Sequence, residues 1–132
     1  PTKNADNSNN MMEWECGIPG KEGTDWAGGV YKVLLKFPPT YPLHPPVGRF
    51  LPALYHPNVF PCGTICLSIL KSEEGWRSAM TVKHIVQAIQ DLLTNPNNSD
   101  AAQEEAHNDF ARNKKVYNKK VREQARKFTP DC

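Results

Sequence analysis

Long hydrophobic runs are missing from this sequence: nothing approaches the ~18 apolar residues of a membrane-spanning helix, and no signal peptide opens the chain. Cysteine is scarce. Cys16, Cys62, Cys66 and Cys132 are too few and too irregularly placed for a secreted disulfide framework, which points to a reducing, intracellular compartment. Surplus charge is missing too, the 132 residues carrying a formal net charge of only +2. There are no internal repeats. An initiating methionine is also lacking: the chain opens on Pro1 and reads as processed or trimmed, with an element upstream left out.

What is present describes an ordinary folded domain spanning residues 1–132. Hydrophobic residues make up 39% of the chain, enough for a sizeable core at this length. In MMEWEC, Met12, Trp14 and Cys16 alternate with Glu13 and Glu15, the period of a strand with one buried face, and Cys16 reads as a core residue. VYKVLLKF repeats the pattern with Tyr31, Val33, Leu35 and Phe37 inward and Lys32 and Lys36 outward. A third strand is expected near Val47–Leu51. Residues 1–10 are polar and read as a turn or frayed lead-in, and IPGKEGTDWAGG as a long Gly-rich connection. PPTYPLHPP carries five prolines in nine positions and reads as a stiff connector of extended or polyproline character.

The second half is helical. Val82, Ile85, Val86, Ile89, Leu92 and Leu93 recur at helical spacing until Asn95-Pro96-Asn97 ends the run. Asp100 followed by Gln103 predicts a helix start with a partial capping box, continuing through Ala102, Ala106 and Phe110. Val116, Tyr117, Val121, Ala125 and Phe128 predict a final helix. Its Arg112–Lys127 stretch holds eight basic residues against Glu123 alone, a pattern that more often marks a solvated face than a nucleic-acid surface. Strands followed by helices predict an α+β fold with one antiparallel sheet.

HPNVFPCGTICLSIL, residues 56–70, raises the chemical question. Zinc needs four ligands in close pairs, and Cys62 and Cys66 have no second pair, since His44, His56, His84 and His107 are scattered. A 62–66 disulfide would close a tiny loop and stabilise little. Cys66 with His56 as its base is a third reading, although His-Pro-Asn looks more like a turn whose side chains bond locally. The bland reading makes Cys66 a small buried hydrophobe within TICLSIL.

YPLHPP, then YHPNVFPCGTICLSIL, then Trp76 and an amphipathic helix ending in a Pro-Asn turn together resemble the ubiquitin-conjugating enzyme family. The likeness spans nearly the whole chain. IPGKEGTDWAGG, CLSIL in place of CLDIL, the longer KSEEG connection, GWRSAMT and QARKF resemble its SUMO-conjugating branch. The resemblance implies a four-stranded antiparallel meander sheet with C-terminal helices, the family's first helix being absent from this chain. It implies an acyltransferase: Cys66 takes a SUMO-type modifier as a thioester from an activating enzyme and passes it to a substrate lysine. Partners would be SUMO, the SUMO-activating enzyme, SUMO ligases and lysine-bearing proteins, with neither membrane nor nucleic acid among them. No cofactor or metal is implied for the chain itself, because ATP is consumed by the activating enzyme. The expected location is the nucleus and cytoplasm.

The resemblance also assigns roles. Asp100 matches the acid that orients and deprotonates the incoming amine, and its alternative role is the helix cap. Asn58 matches the amide that stabilises the oxyanion or holds the nearby loop. Phe60, Cys62, Thr64, Ser68, Arg49, Ala101 and Ala102 match substrate-groove positions. The chain departs from the branch at Phe60 and Cys62, where Tyr and Ser are usual, and at Val47, Glu74 and Glu104, which lower the positive charge along the groove. A ubiquitin-type conjugating enzyme and a non-catalytic modifier-binding module are the alternatives, and an intact Cys66 speaks against the latter.

Overall fold

The computed structural model describes residues 1–72, 74–97 and 99–130. Cys132, and Glu73 within the KSEEG connection, lie outside the described residues. Element order is β1 (Thr2–Lys3), β2 (Asn9–Asn10), β3 (Glu13–Pro19), β4 (Val30–Lys36), β5 (Val47–Phe50), α1 (Val82–Thr94), α2 (Glu104–Arg112) and α3 (Lys114–Lys127), with a 3-10 turn at Ser68–Leu70.

β3, β4 and β5 form an antiparallel meander in sequence order, with Cys16 opposite Val33 and Val33 opposite Phe50. Along β4, Tyr31, Val33 and Leu35 are fully buried and the lysines face out, as their alternation predicts. The fourth position of the meander is filled by residues 59–65, which join β5 around an isolated Arg49–Thr64 bridge. That segment folds back on itself, Val59 bridging Ile65, so it is too short and too bent to run as a regular strand.

The ten-residue loop between β3 and β4 folds inward, because Trp26 is buried and its carbonyl accepts the Tyr31 hydroxyl at 2.8 Å. Residues 1–10 are more ordered than a frayed lead-in: β1 pairs with β2 around a turn where Asn7 takes φ 70°, a conformation asparagine tolerates. The proline-rich connector is built of consecutive turns rather than extended chain. Tyr41 N–H donates to Pro38 O at 2.9 Å and Leu43 N–H to Thr40 O at 2.8 Å. Tyr41 packs between Phe37 and Trp76, and the Trp76 indole donates to Pro42 O at 2.9 Å.

α1 lays Ile85, Ile89, Leu92 and Leu93 into the core. Its start is a capping box with His84 in the place of the common Glu or Gln: the Thr81 hydroxyl accepts from His84 N–H, and Thr81 N–H donates to His84 Nδ1. α2 begins at Glu104, three residues later than Asp100 predicts, and Gln103 at its N-cap makes no side-chain cap bond. Residues 101–103 are withheld from the helix by tertiary bonds. Ala102 N–H donates to Pro57 O at 2.8 Å, and Gln103 Nε2 donates to Leu54 O and Val59 O. Asp100 is therefore not the helix cap. α3 buries Tyr117, Val121 and Ala125, and its C-cap Phe128 accepts the Val30 N–H at 3.0 Å. Lys120 pairs with Glu105 and Asp109, and Arg122 with Asp25, so part of the basic stretch is engaged within the chain.

Candidate active site

The site is organised around two fully buried polar residues, His56 and Asn58. His56 Nε2 lies 2.8 Å from Leu92 O, which can only accept, so that nitrogen carries the proton. Nδ1 then accepts Asn58 N–H at 3.0 Å. Burial lowers the His56 pKa to about 4, the Leu92 contact opposing it only in part. With both nitrogens engaged and the ring neutral, His56 cannot serve Cys66 as a base. The Cys-His reading falls, and the local-turn reading of His-Pro-Asn stands.

From Val59 the chain makes a tight reversal. Phe60 N–H donates to Thr64 O, Gly63 N–H to Phe60 O, and Phe50 N–H to Gly63 O. Gly63 adopts φ +98°, and a Cβ there would stand 2.4 Å from Phe50 O, so only glycine fits. The reversal ends with Ile65 N–H on Gly48 O at 2.9 Å and Cys66 N–H on Asn58 O at 2.8 Å. Cys66 is thus held at its backbone while its side chain stays half-buried. Both Cys62 and Cys66 are free thiols.

Asn58 commits its whole amide to one loop. Its Nδ2 donates to Asn97 O at 2.7 Å and Asp100 O at 2.8 Å, and its Oδ1 accepts Asn97 N–H at 2.7 Å. An amide has two N–H donors, and both are used. In this arrangement Asn58 holds the loop and has no donor left for an oxyanion. The loop braces itself as well, Asn97 Nδ2 donating to Asp100 Oδ2 at 3.1 Å and its Oδ1 accepting Ser99 N–H at 2.9 Å.

The groove residues fall into separate places. Arg49 Nε donates to Cys62 O at 3.0 Å, and Cys62 Sγ lies 3.2 Å from Thr64 Oγ1, so Arg49, Cys62 and Thr64 form one exposed cluster. The Thr64 contacts, with Arg49 adding to them, lower the Cys62 pKa. Phe60 projects from the same reversal, 40% exposed. Ser68 opens the 3-10 turn, and its carbonyl accepts Lys71 N–H and Gly75 N–H. Ala101 is exposed and Ala102 half-buried beside Pro57, both outside α2.

Two residues escape a reading of the sequence alone. Asn97, which looks like a helix stop, is the partner that receives Asn58. Lys71 follows the 3-10 turn after Cys66 and contacts Glu74 Oε1 at 3.5 Å, and the charges of Cys66, Asp100 and Glu74 raise its pKa. The only signal for Lys71 is its spacing, one short turn beyond the cysteine.

A family model described as ubiquitin-conjugating enzyme matches residues 1–125. The chain is 46% identical over 130 residues to the Sumo-conjugating enzyme ubc9 of Dictyostelium discoideum, covering 98% of this chain and 82% of that protein. It is 42% identical over 131 residues to the SUMO-conjugating enzyme UBC9 of Caenorhabditis elegans, covering 99% and 79%. With its meander sheet, its pinned Cys66 and these relatives, the chain belongs to the ubiquitin-conjugating enzyme family.

Proposed function

We propose that this chain is a SUMO-conjugating enzyme, which accepts SUMO from an activating enzyme as a thioester on Cys66 and transfers it to a substrate lysine. The observation that carries the reading is near-full-length similarity to two SUMO-conjugating enzymes. The half-buried, backbone-anchored thiol of Cys66 suits a carrier of this kind. ATP would be consumed upstream, so the chain needs no cofactor of its own. SUMO ligases and lysine-bearing proteins would be its further partners, in the nucleus and cytoplasm.

The transfer step needs an activated acyl group, a neutral amine and relief of the developing oxyanion. The thioester supplies the first. A lysine with a reference pKa near ~10.4 arrives charged, so a group at the site must take its proton. We assign that role to Asp100, whose loop is held by Asn58 and whose carboxylate accepts from Asn97 Nδ2. Asn58 acts by positioning this loop. Phe60, Cys62, Thr64, Ser68 and Arg49 would face the substrate near the lysine, with Ala101 and Ala102 on the Asp100 side.

The test is incubation with SUMO-activating enzyme, SUMO and ATP, with ubiquitin and its own activating enzyme in a parallel arm. A thiol-sensitive SUMO adduct that Cys66→Ala removes and Cys62→Ala preserves is the expected result. Charging by ubiquitin alone would place the chain in the ubiquitin-type group, and no charging by either would overturn the enzyme assignment.

A further inference from the structure

The stretch that delivers Cys66 is paired to β5 in a register that can be counted. Phe50 N–H donates to Gly63 O and Ile65 N–H to Gly48 O, each at 2.9 Å, around the Arg49–Thr64 bridge. One further step of the same antiparallel pairing sets Val47 opposite Cys66. Side chains alternate along both segments: Gly48, Phe50 and Ile65 are buried, while Val47 and Arg49 are exposed and Thr64 and Cys66 half-buried. Val47, Arg49, Thr64 and Cys66 therefore share one outward face, and residues directly opposed on such a face stand about 5 Å apart at Cβ. Val47 is 55% exposed. It also lines a groove of about 630 Å³ whose further apolar walls are Pro45, Pro46, Ile65 and Leu70. Two cations border this face, and both are engaged: Lys71 meets Glu74 Oε1 at 3.5 Å, and Arg49 Nε donates to Cys62 O at 3.0 Å.

We propose that Val47 sets substrate preference: an acceptor lysine is favoured when an apolar side chain stands two residues from it, and disfavoured when that place is acidic. This rests on the thioester reading of Cys66. In an extended peptide, residues i and i+2 point to the same side, about 7 Å apart along the chain. A peptide that aims its lysine at Cys66 therefore aims the side chain two residues away at the same outward face, within reach of Val47 and the groove beside it. Leucine there would leave water for the walls formed by Pro45, Pro46, Val47 and Leu70, removing apolar surface from water on both partners. A carboxylate in the same place would give up hydration against those walls, and the position opposite Cys66 offers it a valine rather than a cation. The transfer chemistry is unaltered, because Val47 meets the residues beside the lysine and not the reacting atoms. Val47 is a specificity-determining residue, and the substrates it selects carry an apolar neighbour in the acid's place.

A singly exposed valine is the ordinary alternative, and it would leave the choice of peptide unmoved. The experiment charges the chain with SUMO, stops activation, and adds short peptides that hold one lysine. Leu, Ala or Glu is placed two residues after the lysine in one set and two residues before it in the other. Discharge is followed far below saturation, as the rate per charged chain, so that kcat/KM values are compared. The expected result is that Leu exceeds Glu by about tenfold in one of the two sets, with Ala between them, as one fitted apolar group commonly achieves. In Val47→Lys the order of Leu and Glu should reverse in that set. Because each ratio is taken within one chain, a general change in the variant's activity cancels. Val47→Thr, which keeps the shape, should shrink the Leu preference, and it serves as the comparison if Val47→Lys does not fold. Leu exceeding Glu in neither set would overturn the proposal, as would an unchanged ratio in the variant. Failure of the wild type to charge would instead strike the thioester reading, and this inference with it.

Discussion

Asn58 grips Asn97 by both of its backbone groups, its Oδ1 accepting the Asn97 N–H and its Nδ2 donating to the Asn97 carbonyl, each at 2.7 Å. The second Nδ2 proton goes to Asp100 O. Asn58→Ala removes all three bonds from a buried place, where an unmet polar group costs about 1–3 kcal/mol. The expected outcome is a lowered urea midpoint, together with slower SUMO discharge to free lysine and largely retained charging of Cys66. Should discharge fall by about 10²-fold with the urea midpoint unchanged, the amide would be an oxyanion donor rather than a loop brace.

His56 makes stability depend on pH in one direction. Its folded pKa, about 4, lies below the ordinary value of 6.5, so between these two values the unfolded chain binds a proton that the folded chain refuses. Stability contributed by neutral His56 is therefore full above pH 6.5, declines as pH falls and is gone near pH 4. A gap of this size corresponds to about 3 kcal/mol. Urea denaturation at several pH values should show the decline, and a His56→Gln chain should show a shallower one. Equal slopes in the two chains would remove His56 from this account.

Gly63→Ala places a methyl group where Phe50 O already stands, on a backbone with φ +98°. The combined strain is expected to cost about 2 kcal/mol or more. Because Gly63 carries the reversal that delivers Cys66, charging with SUMO should fall alongside the unfolding midpoint. A Gly63→Ala chain as stable as the wild type would show that the reversal can relax.

The three described thiols should separate by reactivity. Cys62 is exposed, and its Thr64 contacts favour the thiolate. Cys16 is half-buried, and burial pushes its thiol up. Iodoacetamide at neutral pH should label Cys62 well before Cys16, and Thr64→Val should slow the Cys62 reaction, as mass spectrometry of timed samples would show. Cys16 reacting first would contradict the environments described.

The sequence made the regular elements legible wherever local pattern and burial agree. The alternation along β4 and the helical spacing of α1 survive folding because each element turns one continuous apolar face to the core. The start of α2 was misjudged for a tertiary reason: Asp100 has the chemistry of a cap, but its segment is bound to Asn58 and Pro57, far away in sequence. The β1–β2 ribbon is hidden because polar side chains such as Lys3, Asn4, Asp6 and Asn9 close it, leaving no hydrophobic period to read. Cys66 and Asn58 stand out within one motif.

Val30 at the start of β4 donates its N–H to Phe128 O, and the Phe128 ring packs on Tyr31. The second strand of the meander is thus completed by a residue supplied only after all three helices have been traversed. Such a long-range closure lengthens the average loop that folding must shut and slows the approach to the native state. During synthesis, the Val30 N–H and the Phe128-facing side of Tyr31 would wait uncovered until Phe128 emerged. The last helix is therefore the latch of the sheet, and a chain halted before Phe128 leaves the ribosome with its core open.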